Sequence, residues 1–488
     1  MNNTKKYIVV SFIYCLLLIG CSDVHKENII YFGIAQNPQN LDPRFQSDAA
    51  SEKISELLYS PLFYFSKSYK IKSDIVNWKK ATPLKYKFKI KKKLPVFHHN
   101  KNMGIEDIIA TLNNLRAQHK SPFYIELKNI KNIIKLSNVD FEINLFKKDI
   151  NFLSRLVFFI LPVDLLNQNH NFSTSPIGSG PFRFLEKYPN LKIQRRLDSQ
   201  IIELVNIKDP TVRVLKLLNG EIDLLQNDLP LEMIKLLEDK DRIITLKEYG
   251  SNVSYIGFNF NDSLLKQHKF RKSLSLAVDR QALIKYFLND KTRIAEQILP
   301  PEHWASESIN SFDYNPSLAR KYIKELGIND PIVLTLKTST DPFRVKIATL
   351  IQKQFESIGV KLIIKSLDWG TYFKDIQAGE FQLYGLTWVG IQNPEIYEKI
   401  FNSNLTPPDG LNRAGYISQE TDLLIIKAKE SNQWNKVIKK VHIDNVFMPL
   451  WYEGNFAAFN NNISGYYIHI DGSWDALKTV RKKYGDFN

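Results

Sequence analysis

The residue types that carry out catalysis or bind metals are sparse in this sequence. The chain has only two cysteines, Cys15 and Cys21, so few residues could serve as thiolate nucleophiles or thiolate metal ligands. His98 and His99 are adjacent, and neighbouring residues on a strand point to opposite faces, which disfavours a shared metal ion. Ser179 stands between two glycines but lacks the longer G-x-S-x-G pattern of a nucleophile elbow. We therefore expect no catalytic residue, no metal site and no cofactor.

The first 20 residues have the pattern of a secretory signal peptide. Lys5 and Lys6 precede an apolar run at residues 7–19, and the small residue Gly20 follows it. The run is short, because a helix that crosses a membrane needs about 20 residues. Residues 1–20 are accordingly predicted to be removed on export.

Cys21 is predicted to carry a lipid. The tetrapeptide Leu18-Ile19-Gly20-Cys21 resembles the lipobox of bacterial lipoproteins, in which the thiol is acylated and becomes the new N-terminus. Residues 21–27 would form a lipidated tether. The expected location is the periplasmic side of a bacterial cell envelope, with this lipid as the protein's only contact with the membrane.

The charge of the chain does not by itself indicate nucleic-acid binding. The formal net charge is +15, but the lysines are spread along 488 residues. At residues 86–91 they alternate with apolar residues, which is typical of a strand with one face in the core and one in water. We therefore interpret the lysines as solvated surface and expect no nucleic-acid partner.

Several elements can be placed from hydrophobic periodicity. The run at 29–34 predicts a strand, and residues 36–43 predict a loop at its end, where α/β proteins tend to bind ligands. A helix is predicted from Gly104, and residues 270–288 are a second long amphipathic candidate.

The clearest supersecondary unit lies at residues 332–366. A strand at 332–336, a helix from about Phe343 and a strand at 360–365 form a predicted βαβ unit. Gly359 stands where a left-handed residue would end the helix. Because such a crossover joins parallel strands covered by helices, an α/β fold class is expected.

The order of short motifs along the chain resembles bacterial extracellular solute-binding protein family 5, which comprises the oligopeptide-, dipeptide- and nickel-binding lipoproteins of ABC importers. Each match alone is weak, but they occur in the family's order over residues 30–465. The segments are Asn40-Leu41-Asp42-Pro43, 86–107, Ile177-Gly178-Ser179-Gly180-Pro181-Phe182, 217–223, Phe258-Asn259, 271–280, 319–327, Ile358-Gly359-Val360 and Met448-Pro449-Leu450-Trp451.

The resemblance implies a two-lobed fold of the type II periplasmic-binding-protein kind, with an extra domain inserted in the first lobe. The expected division of the chain is lobe I at 28–60, 170–262 and 465–488, the inserted domain at 61–169, and lobe II at 263–464. In this family a ligand is enclosed between the lobes, so closure is the functional event.

The resemblance also implies ligand-binding residues. Trp369 and Trp388 match two family tryptophans that line the cleft, including the interval of 19 between them. Asn37 and Gln39 lie in the loop that meets the peptide backbone. The loop after the second tryptophan adds Val389, Gly390 and Ile391 to the predicted site.

The sequence departs from the family where peptide termini are held. Ile391 replaces the aspartate that binds the ligand's ammonium group, and Ile376 and Gly385 stand where arginines often bind its carboxylate. Because an unpaired buried charge is costly, we expect either a capped, longer or less charged ligand or compensating anchors. The candidate anchors are Arg344, Glu395, Arg413 and Glu453.

The predicted function is therefore capture of a peptide or peptide-like solute for an ABC importer. The protein is expected to be a monomer that docks on permease subunits, and ATP binding belongs to other subunits because the chain has no Walker phosphate loop. The alternatives are a binder of another solute, such as a metal chelate or an oligosaccharide, a cell-envelope hydrolase, and a lipoprotein without a transport role.

Overall fold

The computed structural model describes residues 29–46, 48–310, 312–408 and 410–483. The predicted signal peptide, the tether and Cys21 lie outside these residues. Among the described residues, no helix combines the length and the apolar character that a membrane span requires.

The first lobe is built on a seven-stranded mixed sheet. The strand Ile29–Ile34 is predicted correctly and pairs in parallel with both of its neighbours. Alternate residues of this strand enter two different cores, as its period of two requires. In sheet order the strands are Ile243–Glu248, Asn455–Asn460, Leu224–Gln226, Ile29–Ile34, Ile201–Asn206, Leu191–Arg195 and Phe182–Glu186.

The second lobe contains a six-stranded sheet with a hydrophobic core on each face. Its βαβ unit consists of the strand Ile332–Ser339, the helix Pro342–Glu356 and the strand Val360–Leu367, and the two strands pair in parallel as predicted. Gly359 has a φ of 83°. In sheet order the strands are Arg293–Ile294, Phe447–Tyr452, Val253–Phe258, Leu383–Trp388, Ile332–Ser339 and Val360–Leu367.

The region predicted to be inserted has a four-stranded antiparallel sheet with a separate core. Residues 86–90 alternate between core and solvent, and the predicted helix from Gly104 is present as Ile105–Ala117. In sheet order the strands are Val76–Thr82, Lys85–Ile90, Asp140–Leu145 and Ile130–Lys135. Two further pairs are Tyr64–Phe65 with Ile71–Lys72 and Ile463–Ser464 with Arg481–Lys482.

Helices cover the three large sheets. Ala49–Leu58, Pro210–Leu218 and Leu231–Glu238 accompany the first sheet, and Ile105–Ala117, Phe123–Glu126 and Val163–Asn167 accompany the third. The second lobe has His268–Ala277, Arg280–Phe287, Pro316–Glu325, Pro342–Glu356, Trp369–Ala378, Ile396–Phe401, Gln419–Ser431 and Asn435–Ile443. Short 3₁₀ helices are Phe152–Leu156 and Asp475–Lys478.

Two expectations differ from the structure. The single helix expected at 270–288 is two helices, because Val278 is extended and Asp279 caps a new helix by accepting from the Ala282 amide. The strand Val253–Phe258 pairs in the second sheet and Asn455–Asn460 in the first, whereas the predicted boundaries at 262 and 464 assign each to the opposite lobe. In both places the chain passes from one sheet to the other before the predicted boundary. Each strand is paired on both sides in the sheet that it enters.

Candidate functional site

The predicted loop of the first lobe is fastened to the helix that follows it. The Gln39 amide donates to Asp48 Oδ2 (3.4 Å), and Gln39 Nε2 donates to the Asn37 carbonyl (3.3 Å). Asp48 also caps the helix Ala49–Leu58 by accepting from the Ser51 amide. Asn37 Oδ1 is buried and has no hydrogen-bond partner among the described residues. These hydrogen bonds hold the loop and the first turn of the helix together, so the two segments form one continuous surface of the first lobe.

Glu52, in the first turn of that helix, faces the second lobe. A Cβ placed on Gly390 would lie 3.6 Å from Glu52 Oε1. Gly390 has a φ of 67°, a left-handed conformation that favours glycine. The predicted loop of the second lobe and the helix of the first lobe thus meet at this point.

Two acidic residues of the first lobe, Glu52 and Asp228, indicate a recess near this meeting point. Glu52 and Asp228 are both exposed to solvent. Nevertheless burial among surrounding protein is the main cause that raises the pKa of each carboxyl. A side chain that water can reach but that protein largely surrounds lies in a cleft, so both acids mark the first lobe's side of a cleft between the lobes.

The tryptophans lie in the second lobe, at the ends of two different elements. Trp369 begins the helix Trp369–Ala378 and is 57% exposed. Trp388 ends the strand Leu383–Trp388, is partly buried and stacks on Tyr255 with a centroid separation of 5.8 Å. Val389 and Ile391 are also partly buried on either side of Gly390. The stacked rings of Trp388 and Tyr255 form an aromatic platform, and the loop that faces Glu52 begins directly after it.

The chain crosses between the two large sheets at two adjacent segments. The Glu453 amide donates to the Asn252 carbonyl (2.8 Å), which joins one crossing to the other. Gly250 is required there, because a Cβ would lie 1.8 Å from the Glu453 carbonyl oxygen. Gly454 also packs closely, because a Cβ there would lie 2.2 Å from Asn289 Oδ1. Among the described residues, these two closely packed segments are the only backbone links between the two large sheets, so a hinge between the two lobes would lie there.

Arg344 and Glu453 pair beside these crossings, in what we call the crossover cluster together with Ser254 and Thr387. Arg344 Nη2 lies 2.7 Å from Glu453 Oε1. Ser254 Oγ and Thr387 Oγ1 donate to the same oxygen at 2.6 and 3.1 Å. Burial opposes ionisation of Glu453, but the charge of Arg344 and these hydrogen bonds outweigh it and lower the pKa. The charge of Arg344 is therefore largely neutralised within the protein.

Further carboxylates gather around Glu52. Burial raises the pKa of Glu56 to about 8, and the charges of Glu52, Asp471 and Asp475 add to the effect, while Lys478 opposes it. At neutral pH Glu56 therefore keeps its proton, so this group of acids carries less negative charge than its number of carboxyls would give.

Glu395 has a different environment from the other candidate anchors. It is 1% exposed, and Arg155 Nη1 lies 2.6 Å from its Oε2. Arg155 also contacts Glu126 (2.9 Å) and Asp149 (3.3 Å), and we call these four residues the Arg155 cluster. Burial raises the pKa of Glu395, and Arg155 opposes the rise. Glu395 therefore joins the second lobe to the inserted region.

Other contacts join the same two regions. Asn393 Nδ2 donates to Ser154 Oγ (2.8 Å), and the rings of Tyr69 and His303 lie 4.6 Å apart. Both rings are buried, at 8% and 3% exposure. The inserted region is thus packed against the second lobe at more than one place.

The histidine pair and the glycine-flanked serine have structural partners. His98 Nδ1 accepts from the Gly178 amide (3.2 Å), whereas His99 Nε2 lies 3.3 Å from Asp164. A Cβ on Gly178 would lie 2.0 Å from the Leu58 carbonyl oxygen, so the loop needs glycine to pack on the helix end. Within the described ranges, no group of three or more His, Cys, Asp or Glu side chains is placed to hold a metal ion.

The positions that depart from the family pattern are occupied by structural residues. Ile376 is fully buried in the second lobe, and the Gly385 carbonyl accepts from the Tyr372 hydroxyl. Ile391 packs against the same core. None of these three positions presents a charged side chain to a ligand.

Comparison with known proteins identifies the family. The model of "Bacterial extracellular solute-binding proteins, family 5 Middle" matches residues 70–404, which is more than half of the chain. This protein is a member of family 5. Its two-lobed fold also matches solved structures, and its substrate-binding role agrees with that of its relatives, which are solute-binding proteins rather than enzymes.

Three similarities illustrate the range of this family 5 protein's relatives. The oligopeptide-binding protein AppA of Bacillus subtilis is 24% identical over 90% of this chain and 88% of its own length. The structure of AppA in complex with a nonapeptide superposes with a TM-score of 0.81, at 24% identity over 93% of this chain and 99% of that one. NikZ from Campylobacter jejuni in complex with Ni(L-His) gives 0.80 at 20% identity, over 93% and 100%.

The acidic residues Glu52 and Asp228 of the first lobe were not predicted from the sequence of this family 5 protein. Asp48, followed by Ala49, Ala50 and Ser51, was a detectable helix start, but Glu52 there is equally explained by the helix dipole. Its position opposite Gly390 depends on how the lobes meet, for which the sequence has no local pattern.

Proposed function

We propose that this protein is the extracytoplasmic solute-binding subunit of an ABC importer and that its ligand is a peptide or a peptide-like solute. The ligand would be held between the two lobes and passed to permease subunits, which recognise the closed form. The protein works as a monomer and performs no chemistry on its ligand.

The single observation that carries this proposal is the cleft itself. One wall is the loop with Asn37 and Gln39, fastened to the helix that bears Glu52. The opposite wall is the loop that contains Gly390, which follows the Trp388 platform. The unpaired Asn37 Oδ1 on one side and aromatic faces on the other suit a backbone that offers both hydrogen-bonding groups and apolar side chains. AppA, which has the same fold, was solved with a nonapeptide.

Peptide binding can be tested by calorimetry with pools of synthetic peptides of two to nine residues. We expect the Trp369→Ala variant to bind about tenfold more weakly, because an exposed aromatic wall of a cleft loses its contact area. Trp78→Ala is the matched control, since Trp78 is 37% exposed but lies on the sheet of the inserted region. Failure of the parent protein to bind any pool, or equal effects of both substitutions, would contradict the proposal.

The lipid anchor is a separate part of the proposal. It is supported by the Leu18-Ile19-Gly20-Cys21 tetrapeptide after the apolar run. When the full-length gene is expressed in a bacterium, the protein is expected to partition into detergent, and a Cys21→Ser variant is expected to lose this behaviour. Equal partitioning of both proteins would rule out acylation at Cys21.

A further inference from the structure

Arg413 lies within a row of aromatic rings in the second lobe. Its guanidinium carbon is 5.1 Å from the Trp388 ring centroid and 5.3 Å from that of Phe373. Phe373 in turn stacks with Trp369 at 5.7 Å, and Trp388 stacks with Tyr255 at 5.8 Å. The cation is thus held between two rings, with the exposed Trp369 at one end of the row.

The positive charge of Arg413 has no counter-ion among the described carboxylates. Arg344 differs, because Glu453 neutralises it at 2.7 Å. Arg413 Nε is buried and has no hydrogen-bond partner in the described part of the chain. Contacts with ring faces stabilise a guanidinium but leave its in-plane N–H donors unused. The Tyr384 hydroxyl is a hydrogen-bond partner of the guanidinium, whereas the Nε donor has none and is available for an acceptor that the described residues do not supply.

A small cavity adjoins the arginine. It has a volume of about 20 Å³, which is room for about one water-sized atom group. Its walls include Tyr255, Tyr384, Trp388, Leu411, Arg413 and Phe447.

The Tyr255 hydroxyl is a second buried polar group at this cavity, and it lies close to the Tyr384 hydroxyl. Tyr255 is 3% exposed, and its hydroxyl has no described partner of good hydrogen-bond geometry. Burial raises the pKa of this hydroxyl, with a contribution from the nearby Tyr384 hydroxyl, whereas the charge of Arg413 opposes the rise. Both tyrosines therefore remain neutral at physiological pH and can donate a hydrogen bond to an anion.

The geometry points to Arg413 as the residue that binds a carboxylate of the ligand, with the hydroxyls of Tyr255 and Tyr384 as secondary donors. This inference rests on the proposed function and adds the charge of the ligand to it. A carboxylate matches the planar donor fork of arginine and has oxygens of the size that the cavity accepts. Trp388 lines this cavity and leads into the loop opposite Glu52, so the subsite adjoins the cleft.

The acidic wall of the first lobe makes the subsite selective for orientation. Burial raises the pKa of the Glu52 and Asp228 carboxyls, which do not attract a carboxylate in either protonation state, whereas Arg413 favours one on the opposite side. A ligand with one carboxylate is therefore expected to bind in a single direction.

The test compares peptide pools that differ only in the carboxylate. Calorimetry is performed with free-acid and C-terminally amidated pools, and with amidated pools that carry an internal Glu or Gln. We expect the parent protein to prefer the carboxylate form by about 10- to 100-fold, as a charge-assisted hydrogen-bond pair provides. Preference at the C-terminus or at the internal Glu identifies which carboxylate is bound, and either result supports the subsite.

Variants of Arg413 complete the test. Arg413→Ala is expected to bind acid and amide within about twofold of each other, and Arg413→Lys is expected to keep part of the preference because the charge remains but the planar fork is lost. Arg183→Ala is the control, since Arg183 is exposed and bonded to Gln194.

The outcomes separate this inference from the proposed function. If the parent protein binds acid and amide equally, or if Arg413→Ala keeps the preference, the inference is overturned while peptide binding stands. If the parent protein binds no pool, both fail. Equal binding of acid and amide by the parent protein overturns the inference without any variant, so the test can fail even if a variant does not fold.

Discussion

The crossover cluster and the Arg155 cluster contain the same ion pair in different surroundings. The guanidinium and carboxylate lie 2.7 Å apart in Arg344–Glu453 and 2.6 Å apart in Arg155–Glu395. The side chains of the first pair are 34% and 29% exposed, whereas those of the second are 12% and 2% exposed. Distance alone therefore does not distinguish them, but access to water does.

The difference separates a pair beside a cleft from a pair that holds two regions together. A partly hydrated pair can exchange its partners for water or ligand at low cost, so the crossover cluster can adjust when the lobes move. A buried pair that loses one member leaves an uncompensated charge, so the Arg155 cluster resists separation. Sequence reasoning placed Glu453 and Glu395 in one group of candidate anchors, but Glu453 lies beside the crossing segments and Glu395 is buried against the inserted region.

The largest effect is expected from breaking the buried pair. Arg155→Ala leaves three carboxylates without their common partner, and we expect the free energy of unfolding in urea to fall by about 3–5 kcal/mol. Lys399→Ala is the control, because Lys399 is 41% exposed and contacts Glu126 from the rim, so a loss of less than about 1 kcal/mol is expected. Similar losses in the two variants would show that burial is not what distinguishes the clusters.

An intermediate effect is expected for Glu453→Gln. The pKa of Glu453 is lowered in the folded protein, so its contribution to stability is present above the ordinary glutamate pKa and is lost as pH falls through the folded value. We expect a loss of about 1–2 kcal/mol at pH 7 and a smaller difference below about pH 4. Thermal unfolding measured from pH 3 to 7 tests this, and a constant difference across that range would contradict it.

The smallest effect is expected for Glu56→Gln. The pKa of Glu56 is raised to about 8, so between the unfolded value of about 4.5 and 8 the folded state keeps a proton that the unfolded state has released. Stability should fall as pH rises through this window, and the substitution should remove that slope by less than about 1 kcal/mol. A parent protein and variant with parallel melting temperatures from pH 5 to 8 would exclude this role for Glu56.

The elements that sequence predicted correctly depend on local patterns. Residues 86–90 alternate and Ile105–Ala117 has a helical stripe, and in both cases one face of the element is buried. The βαβ unit at 332–367 was equally clear because strand, helix and glycine follow one another without a break. Such patterns require only that each element has an inside and an outside.

The features that sequence could not provide depend on contacts between distant segments. Arg155 and Glu395 are separated by 240 positions, and the lobe boundaries are set by which sheet accepts the strands at 253–258 and 455–460. The break at Val278 escaped detection because the apolar residues continue through it. For the site, the interval between Trp369 and Trp388 was informative, whereas the environment of Arg413 depends on rings contributed by three separate segments.

The position of the strand Asn455–Asn460 has a consequence for how the chain matures. It pairs between Ile243–Glu248 and Leu224–Gln226 in a sheet that also contains Ile29–Ile34, so the sheet joins the beginning and the end of the described chain. A chain emerging from the ribosome cannot finish this sheet until almost all of it has been synthesised. The first lobe would therefore remain incomplete for most of translation, a state that suits a polypeptide threaded through a secretion channel before it folds.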